Sequence, residues 1–382
     1  MAQEHCSAIL LAAGFYKMDI LKYFQFEDVG HRIEDLETPV PVIDIEIVER
    51  NLKRWQDRCN KLGIANRPHI KTHKLVALAK AQIDLGAAGI TVQKLGEAEV
   101  MADAGIMDML LTFNVVGARK LERLAALARR TDISVVADSV EVVDGLVLAG
   151  GRAGRNIQVL VEMDSGARRN GVQSPEAALA LAQYIDKSKG VGFGGLMTYP
   201  RPGTRLETES LLLATSDAIV RSGLETAVIS SGGSPDMWKD DGLAHITEYR
   251  VGTYIYFDRA LAERGTCNYA DCALSVLTTV VSRPTQERAL VDAGSKALTS
   301  DLLGLTGYGI VQELAGARIY DVNEEHGYLD VSATLNKPRV GDLLRVTPNH
   351  VCPVVNLFDK VVFTRGKEIL GAVRVDAWGR VQ

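Results

Sequence analysis

Between residues 40 and 265, short β-rich runs alternate with stretches that repeat apolar residues at helical spacing. No other feature restricts the fold as strongly. The runs are "PVPVIDI" (39–45), "NRPHIK" (66–71), "GITVQ" (89–93), "MLLTFN" (109–114), "ISVVAD" (133–138), "IQVLVEMD" (157–164), "VGFGGLMTY" (191–199), "AVISSG" (227–232) and a weaker "TEYRVG" (247–252). Segments such as "EIVERNLKRWQDRCNKLG" and "SPEAALALAQYIDKS" fill the intervals, several of them opened by Ser, Thr or Asp as helix caps. Strands separated by helices need parallel, right-handed crossovers, so the unit is βα. Counted from residue 39 it recurs about eight times, which predicts an α/β fold with a (β/α)8 barrel over residues 36–268.

Beyond about residue 270 the pattern changes. "CALSVLTTVVSRPTQERALVDAG", "GARIYDVNEEHGYLDVS", "GDLLRVTPN" and "KVVFTRGKEILGAVRV" read as strands joined by Gly, Pro and Asn turns. They predict an antiparallel β domain over 269–382. Residues 1–35 form an extension before the first barrel strand, either packed on the β domain or outside the fold.

Charge and cysteine usage narrow the function classes. With 43 basic and 48 acidic residues there is no positive field for nucleic acid and no basic run dense enough for a membrane surface. The early apolar stretch "SAILLAAGF" (7–15) is too short to span a bilayer and has no cationic segment before it, so a secretory signal is not expected. Five scattered cysteines (Cys6, Cys59, Cys267, Cys272, Cys352) are no disulfide framework and suit a reducing compartment, with the cytoplasm as the default.

Barrel enzymes carry their chemistry at the C-terminal ends of the strands, and polar residues collect there. The second run ends in "RPHIKTHK" (67–74), where an extended strand would set Arg67, His69, Lys71 and His73 on one face and Lys74 on the other. Crowded cations destabilise one another unless an anion or a deprotonated amine relieves them, so a lysine there is a candidate reactive amine. A solvated strand end is the bland alternative. Gln93, Asn114 and Asp138 end the next three runs, Arg168 and Arg169 follow the sixth, and Tyr199 ends the seventh. The eighth opens into "SSGGSP", where glycines permit close backbone approach and free N–H groups suit a phosphate, although most such turns merely turn. Gly252 and Thr253 add further candidate donors. In the second domain "PNHVCP" (348–353) sets His350 and Cys352 two apart on one side of an extended segment. Imidazole with thiolate favours Zn²⁺ over Mg²⁺ or Ca²⁺, and a buried Cys beside a turn His is the competing reading. A lysine amine and a phosphate cradle together fit pyridoxal 5'-phosphate.

The ordered series "TPVPVIDIEIVERNL", "RPHIKTHK", "TVQKLGEAE", "DSGARRNG", "SSGGSP", "YRVGTYIYFD", "VDAGSK", "EEHG" and "PNHVCP" resembles the metal-activated pyridoxal phosphate enzymes related to D-threonine aldolase and D-serine dehydratase, over about residues 37–378. The resemblance implies an alanine-racemase-like barrel followed by a β domain, and a homodimer. It implies that Lys71 carries the cofactor and that Arg169 lies near the cofactor's phenolic oxygen. Tyr199 would face the pyridine ring, and Gly232, Gly233, Ser234, Gly252 and Tyr254 would hold the phosphate. Gln93 and His326 would line the pocket, with His326 or the released Lys71 as the base. His350 and Cys352 would hold the divalent metal (Zn, Mn or Mg), and Lys74 would be a bystander. The substrate implied is a small D-3-hydroxy amino acid, cleaved in retro-aldol fashion to glycine and an aldehyde. The alternative is dehydration of D-serine or D-threo-3-hydroxyaspartate to a 2-oxo acid and ammonia. Aldolases of this kind commonly present His-x-Asp at the metal and dehydratases His-x-Cys, so Cys352 points to dehydration, whereas the flanking "PNHVCPVVNLFD" resembles the bacterial aldolase-type members more, and the choice stays open. A non-enzymatic pyridoxal-phosphate homeostasis protein would lack the second domain.

Overall fold

The computed structural model describes residues 20–239, 241 and 243–382. After two short 3₁₀ turns (Ile20–Tyr23 and Ile33–Asp35) come strand β1 (Val40–Asp44) and helix α1 (Ile45–Leu62). The Asp44 carboxylate caps this helix by accepting from the N–H groups of Glu46 and Ile47. Eight parallel strands follow: β2 (Ala65–Asn66), β3 (Ile90–Val92), β4 (Asp108–Leu111), β5 (Asp132–Ala137), β6 (Ile157–Met163), β7 (Val191–Thr198), β8 (Val228–Ser231) and β9 (Glu248–Tyr249). Their order is β2-β9-β8-β7-β6-β5-β4-β3. A bridge between His69 and Thr91, with the Thr91 N–H donating to the Pro68 carbonyl, joins the two edges. Helices α2 (Val76–Asp84), α3 (Leu95–Asp103), α4 (Ala118–Ala128), α5 (Val140–Ala153), α6 (Pro175–Lys187) and α7 (Arg205–Arg221) form the crossovers. In α4, for example, Leu121, Leu124, Ala125 and Ala128 are buried at positions i, i+3, i+4 and i+7, which makes one apolar stripe.

The count of eight stands, but its membership does not. The run at 39–45 is not a barrel strand. β1 lies in the second sheet, antiparallel to β10 (Leu274–Ser282) and parallel to a strand near the C-terminus. Val42 and Ile43 are buried in separate apolar clusters on its two faces. A strand covered on both faces reads the same in a barrel and in the middle of a two-layered sheet. The weak run at 247–252 supplies the eighth barrel strand instead. Its signal is weak because Glu248 and Arg250 are charged yet buried.

The second sheet continues with β11 (Arg288–Val291), β12 (Ile310–Val311), β13 (Arg318–Val322), β14 (Gly327–Asp330), β15 (Leu343–Thr347), β16 (Lys360–Arg365) and β17 (Glu368–Arg374). Its main path is β13-β14-β11-β10-β1-β16-β17. The pairs among β10–β17 are antiparallel, and the β1–β16 pair makes the sheet mixed. Phe24 and Phe26 pack edge-on against Phe363, and Glu27 bridges to Ala372, which sets this part of the N-terminal segment on the second sheet, while Lys22 bonds Asp84 of barrel helix α2 at 3.0 Å. The stretch 7–15 and Cys6 lie outside the described residues. Among the described residues no helix is long and apolar enough to cross a membrane.

Candidate active site

A cavity of about 290 Å³ opens at the C-terminal ends of the barrel strands. His69, Gln93 and Thr112 come from beyond β2, β3 and β4, and Tyr199 follows β7. Gly232, Gly233 and Ser234 follow β8, and the segment 250–253 follows β9. His350 and Cys352 reach the same cavity from the second domain, with Leu303 and Arg264 at its edge. Of the residues singled out in the sequence, Lys71, Gln93, Arg169, Tyr199, Gly232, Gly233, Ser234, Gly252, His350 and Cys352 line it.

The "RPHIKTHK" segment is not a strand with one cationic face. β2 stops at Asn66 and Pro68 cannot donate to a ladder, so the chain turns into a 3₁₀ helix over Ile70–Thr72. Each basic side chain then meets a different environment. Arg67 pairs with Glu248 and Asp108. His73 is fully buried, its Nδ1 accepting from the Leu75 N–H at 3.0 Å and its Nε2 facing Gln82 at 3.3 Å. Lys74 is buried with φ 55° and pairs with Glu97 at 3.1 Å. Its ammonium is neutralised there and does not line the cavity. Among the described residues no carboxylate pairs with Lys71, which keeps its amine in the cavity.

Around Lys71 the polar atoms are ordered. The His69 Nδ1 accepts from the Lys71 N–H at 3.4 Å, so its Nε2 carries the proton and donates to Gln93 Oε1 at 3.0 Å. Gln93 in turn donates to the Thr112 carbonyl at 2.9 Å. Burial, then the neighbouring Lys71 charge, holds His69 well below the usual imidazole range, so the ring is neutral. The Arg169 guanidinium stands 5.1 Å from the Tyr199 ring centroid. Burial raises the Tyr199 phenol against the opposing charge of Arg169.

The glycines of the wall are packed too closely for a side chain. A Cβ at Gly252 would lie 2.8 Å from Thr72 Oγ1 and 2.9 Å from the His69 carbonyl oxygen, and one at Gly233 would lie 3.1 Å from the Tyr199 ring. Gly232 has φ +106°, a conformation side chains rarely adopt, and its Cβ would enter the Tyr249 ring. Backbone thus forms this side of the cavity, as a cofactor phosphate requires. The metal donors fit as well. Cys352 Sγ lies 3.1 Å from Thr72 Oγ1, beside Lys71, and interacts with His350. Burial alone would push His350 down, but Cys352 and Asp301 carry it up to about 9. Burial also opposes ionisation of Cys352, yet His350 and Lys71 bring its thiol below the ordinary range. Among the described residues no three His, Cys, Asp or Glu side chains converge on one point, which leaves a two-residue donor set.

Two expected site residues lie elsewhere. The Tyr254 ring is buried in the core and its hydroxyl accepts from Gln82 at 2.9 Å, so its side chain does not line the cavity. An aromatic next to a glycine turn carries no mark that tells core from cavity. His326 is exposed on the turn between β13 and β14, its N–H donating to Asn323 Oδ1 at 2.7 Å, outside the cavity of its own chain. Conversely, the sequence reading passed over Arg250 and Asp301. Arg250 is buried at the cavity wall, donates to Ser230 Oγ (2.6 Å) and the Thr198 carbonyl (2.7 Å), and is lowered by burial to about 10. An arginine directly after a short buried strand is the one signal that would have revealed it. Asp301 touches His350 from a loop and has no local signature.

Residues 43–260 match the alanine racemase N-terminal domain family, and residues 273–364 match the putative serine dehydratase domain. The chain belongs to the fold-type III pyridoxal-phosphate enzymes of the D-threonine aldolase and D-serine dehydratase kind. Within this family it is 33% identical over 348 residues to D-threo-3-hydroxyaspartate dehydratase of Delftia sp., covering 83% of this chain and 91% of the relative. It superposes on D-threonine aldolase from Filomicrobium marinum with a TM-score of 0.84 at 31% identity, covering 94% of this chain and 100% of the other. A variant of D-threo-3-hydroxyaspartate dehydratase with a cysteine replaced by alanine, in a metal-free form, aligns with a TM-score of 0.82 at 29% identity over 91% of this chain and 99% of that one. These relatives are pyridoxal-phosphate-dependent lyases, and this chain is a lyase of the same family.

Proposed function

We propose that the enzyme cleaves small D-3-hydroxy amino acids to glycine and an aldehyde, using pyridoxal 5'-phosphate and a divalent metal. The observation that carries this reading is the meeting of the two domains at Thr72 and Cys352, which sets an imidazole–thiol pair beside the Lys71 segment. Lys71 would hold the cofactor's aldehyde, and the backbone at Gly232, Gly233, Ser234 and Gly252 its phosphate. Arg169 would stand at its phenolic oxygen and Tyr199 at its ring. When bound, pyridoxal phosphate accepts the electron pair left on Cα as a bond to it breaks. The metal supplies Lewis acidity to the substrate hydroxyl, and imidazole with thiolate suits Zn²⁺. The neutral His69, held by Gln93, can orient a polar group without adding charge to the pocket. With His326 outside its own chain's cavity, Lys71, once the substrate amine has released it from the cofactor, would take the hydroxyl proton. The free cysteines suit a reducing compartment, so we place the enzyme in the cytoplasm, and the family resemblance supports a homodimer.

Dehydration is the second reading, favoured by one specific observation. His350 and Cys352 line the cavity together, and an imidazole–thiolate pair would hold Zn²⁺, which as a Lewis acid would activate a hydroxyl as leaving group. The test is incubation with D-threonine, D-serine and D-threo-3-hydroxyaspartate, followed by product analysis. Glycine with an aldehyde is the expected outcome, and a 2-oxo acid with ammonia would establish the dehydratase instead. L-enantiomers should remain untouched, and EDTA should stop turnover without releasing the cofactor. A yellow protein that turns over no D-amino acid, with or without metal, would point to cofactor homeostasis.

A further inference from the structure

We infer that Asp301 is a positioning residue that fixes the His350 imidazole for the divalent metal. The inference rests on the reading of His350 and Cys352 as metal donors, and adds a residue that acts through one of them. Asp301 Oδ2 lies 2.7 Å from His350 Nδ1. With Nδ1 engaged, Nε2 is the nitrogen left for a metal. A carboxylate on the far nitrogen of a metal-bound imidazole fixes the tautomer and ring orientation and makes the ring a better donor.

The loop that carries Asp301 is built to hold it there. Thr299 and Leu303, flanking it, both adopt positive φ (68° and 50°), which non-glycine residues do only under constraint from their surroundings. The Asp301 N–H donates to Thr299 Oγ1 at 3.1 Å. The side chain of Asn349, which is 1% exposed and directly precedes His350, donates to the carbonyls of Asp301 (3.1 Å) and Gly307 (2.8 Å). Arg259 holds the Asn349 oxygen at 3.1 Å, and Arg264 donates to the Leu303 carbonyl at 3.2 Å. The backbone of Asp301 thus hangs from the neighbour of the histidine that its carboxylate grips. Asp301 is not itself a donor in this arrangement. It occupies the nitrogen that a metal at Nε2 would leave free, and it joins no three-residue cluster with His350 and Cys352.

The experiment measures Zn²⁺ affinity of the cofactor-loaded enzyme by competition with a chromophoric chelator, with cofactor absorbance and thermal melting recorded for each variant. Loss of an outer carboxylate of this kind weakens metal binding about 10–100-fold. Asp301→Asn keeps an acceptor and loses the charge, so about tenfold is expected. Asp301→Ala loses both and should approach 100-fold. Cofactor absorbance should stay at the wild-type level in both, and Cys352→Ala should lose the metal altogether. If both Asp301 variants bind Zn²⁺ within twofold of wild type while Cys352→Ala does not bind it, the positioning role is wrong and the metal pair stands. If Asp301→Asn loses the metal as completely as His350→Ala, Asp301 is a ligand and the inference also fails. A wild-type enzyme that binds no Zn²⁺ or Mn²⁺ removes the metal reading and this inference together.

Discussion

Replacing Lys74 by methionine tests whether the buried charge next to the Lys71 segment holds the site together. The side chains of Lys74 and Glu97 are 5% and 2% exposed, with Nζ 3.1 Å from Oε1. The other carboxylate oxygen accepts from the N–H groups of Gln93 (2.7 Å) and Lys94 (3.3 Å). The pair therefore ties the segment of Lys71 to the strand end that carries Gln93. Removing one partner of a buried pair costs about 3–5 kcal/mol, because the other charge stays buried and uncompensated. An exposed pair such as Lys53 with Asp57 is worth about 0–1 kcal/mol. The two N–H donors still stabilise Glu97, which favours the lower end, about 3 kcal/mol. At roughly 2 cal/mol/K per residue over 382 residues, that lowers Tm by about 4 °C. Thermal and urea unfolding of Lys74→Met, Glu97→Gln and the double variant form a cycle, and the double variant should lose less than the two single losses combined. Lys71 should still accept the cofactor in Lys74→Met, at occupancy reduced only near the melting range. A Lys74→Met enzyme within 1 kcal/mol of wild type, with additive losses in the cycle, would refute the reasoning.

Two further outcomes follow from the same segment. Borohydride reduction of the cofactor-loaded protein should place the label on Lys71, with none in Lys71→Ala, and peptide mapping that finds it on Lys74 would overturn the assignment. His73, lowered by burial to about 3, titrates near 6.5 once unfolded, so between those values the unfolded chain binds the extra proton. Stability should therefore fall by about 1.4 kcal/mol per pH unit below 6.5 from this residue, about 2 kcal/mol by pH 5. His69 is lowered in the same sense and adds to the slope. Urea midpoints between pH 5 and 7 should show a shallower slope for His73→Gln, and an unchanged slope would show that His73 is protonated in the fold.

The barrel was legible because its signal is local. A parallel strand followed by an amphipathic helix writes its period into about thirty residues, and eight such units leave little choice of architecture. The cofactor and metal candidates were legible for a related reason: Lys71, the Gly232–Gly233 turn and the His350–Cys352 pair are short motifs whose chemistry depends on neighbours in the chain. Pairing between distant segments was not legible. "PVPVIDI" carries the same apolar residues whether its partners are barrel strands or β10 and β16, and only packing on both faces chose between them. The row of cations in "RPHIKTHK" looked like one charged surface. Tertiary structure gave Arg67 to Glu248, Lys74 to Glu97 and His73 to the core, and left Lys71 in the cavity. It likewise turned Tyr254 inward, set His326 on an outer turn and brought Asp301 to His350. Sequence by itself determined which reactive side chains the chain offers and at what spacing, and so the class of chemistry open to it. Which charges are neutralised and which remain free depends on partners that only the folded chain brings within hydrogen-bond distance, where burial makes each pairing count.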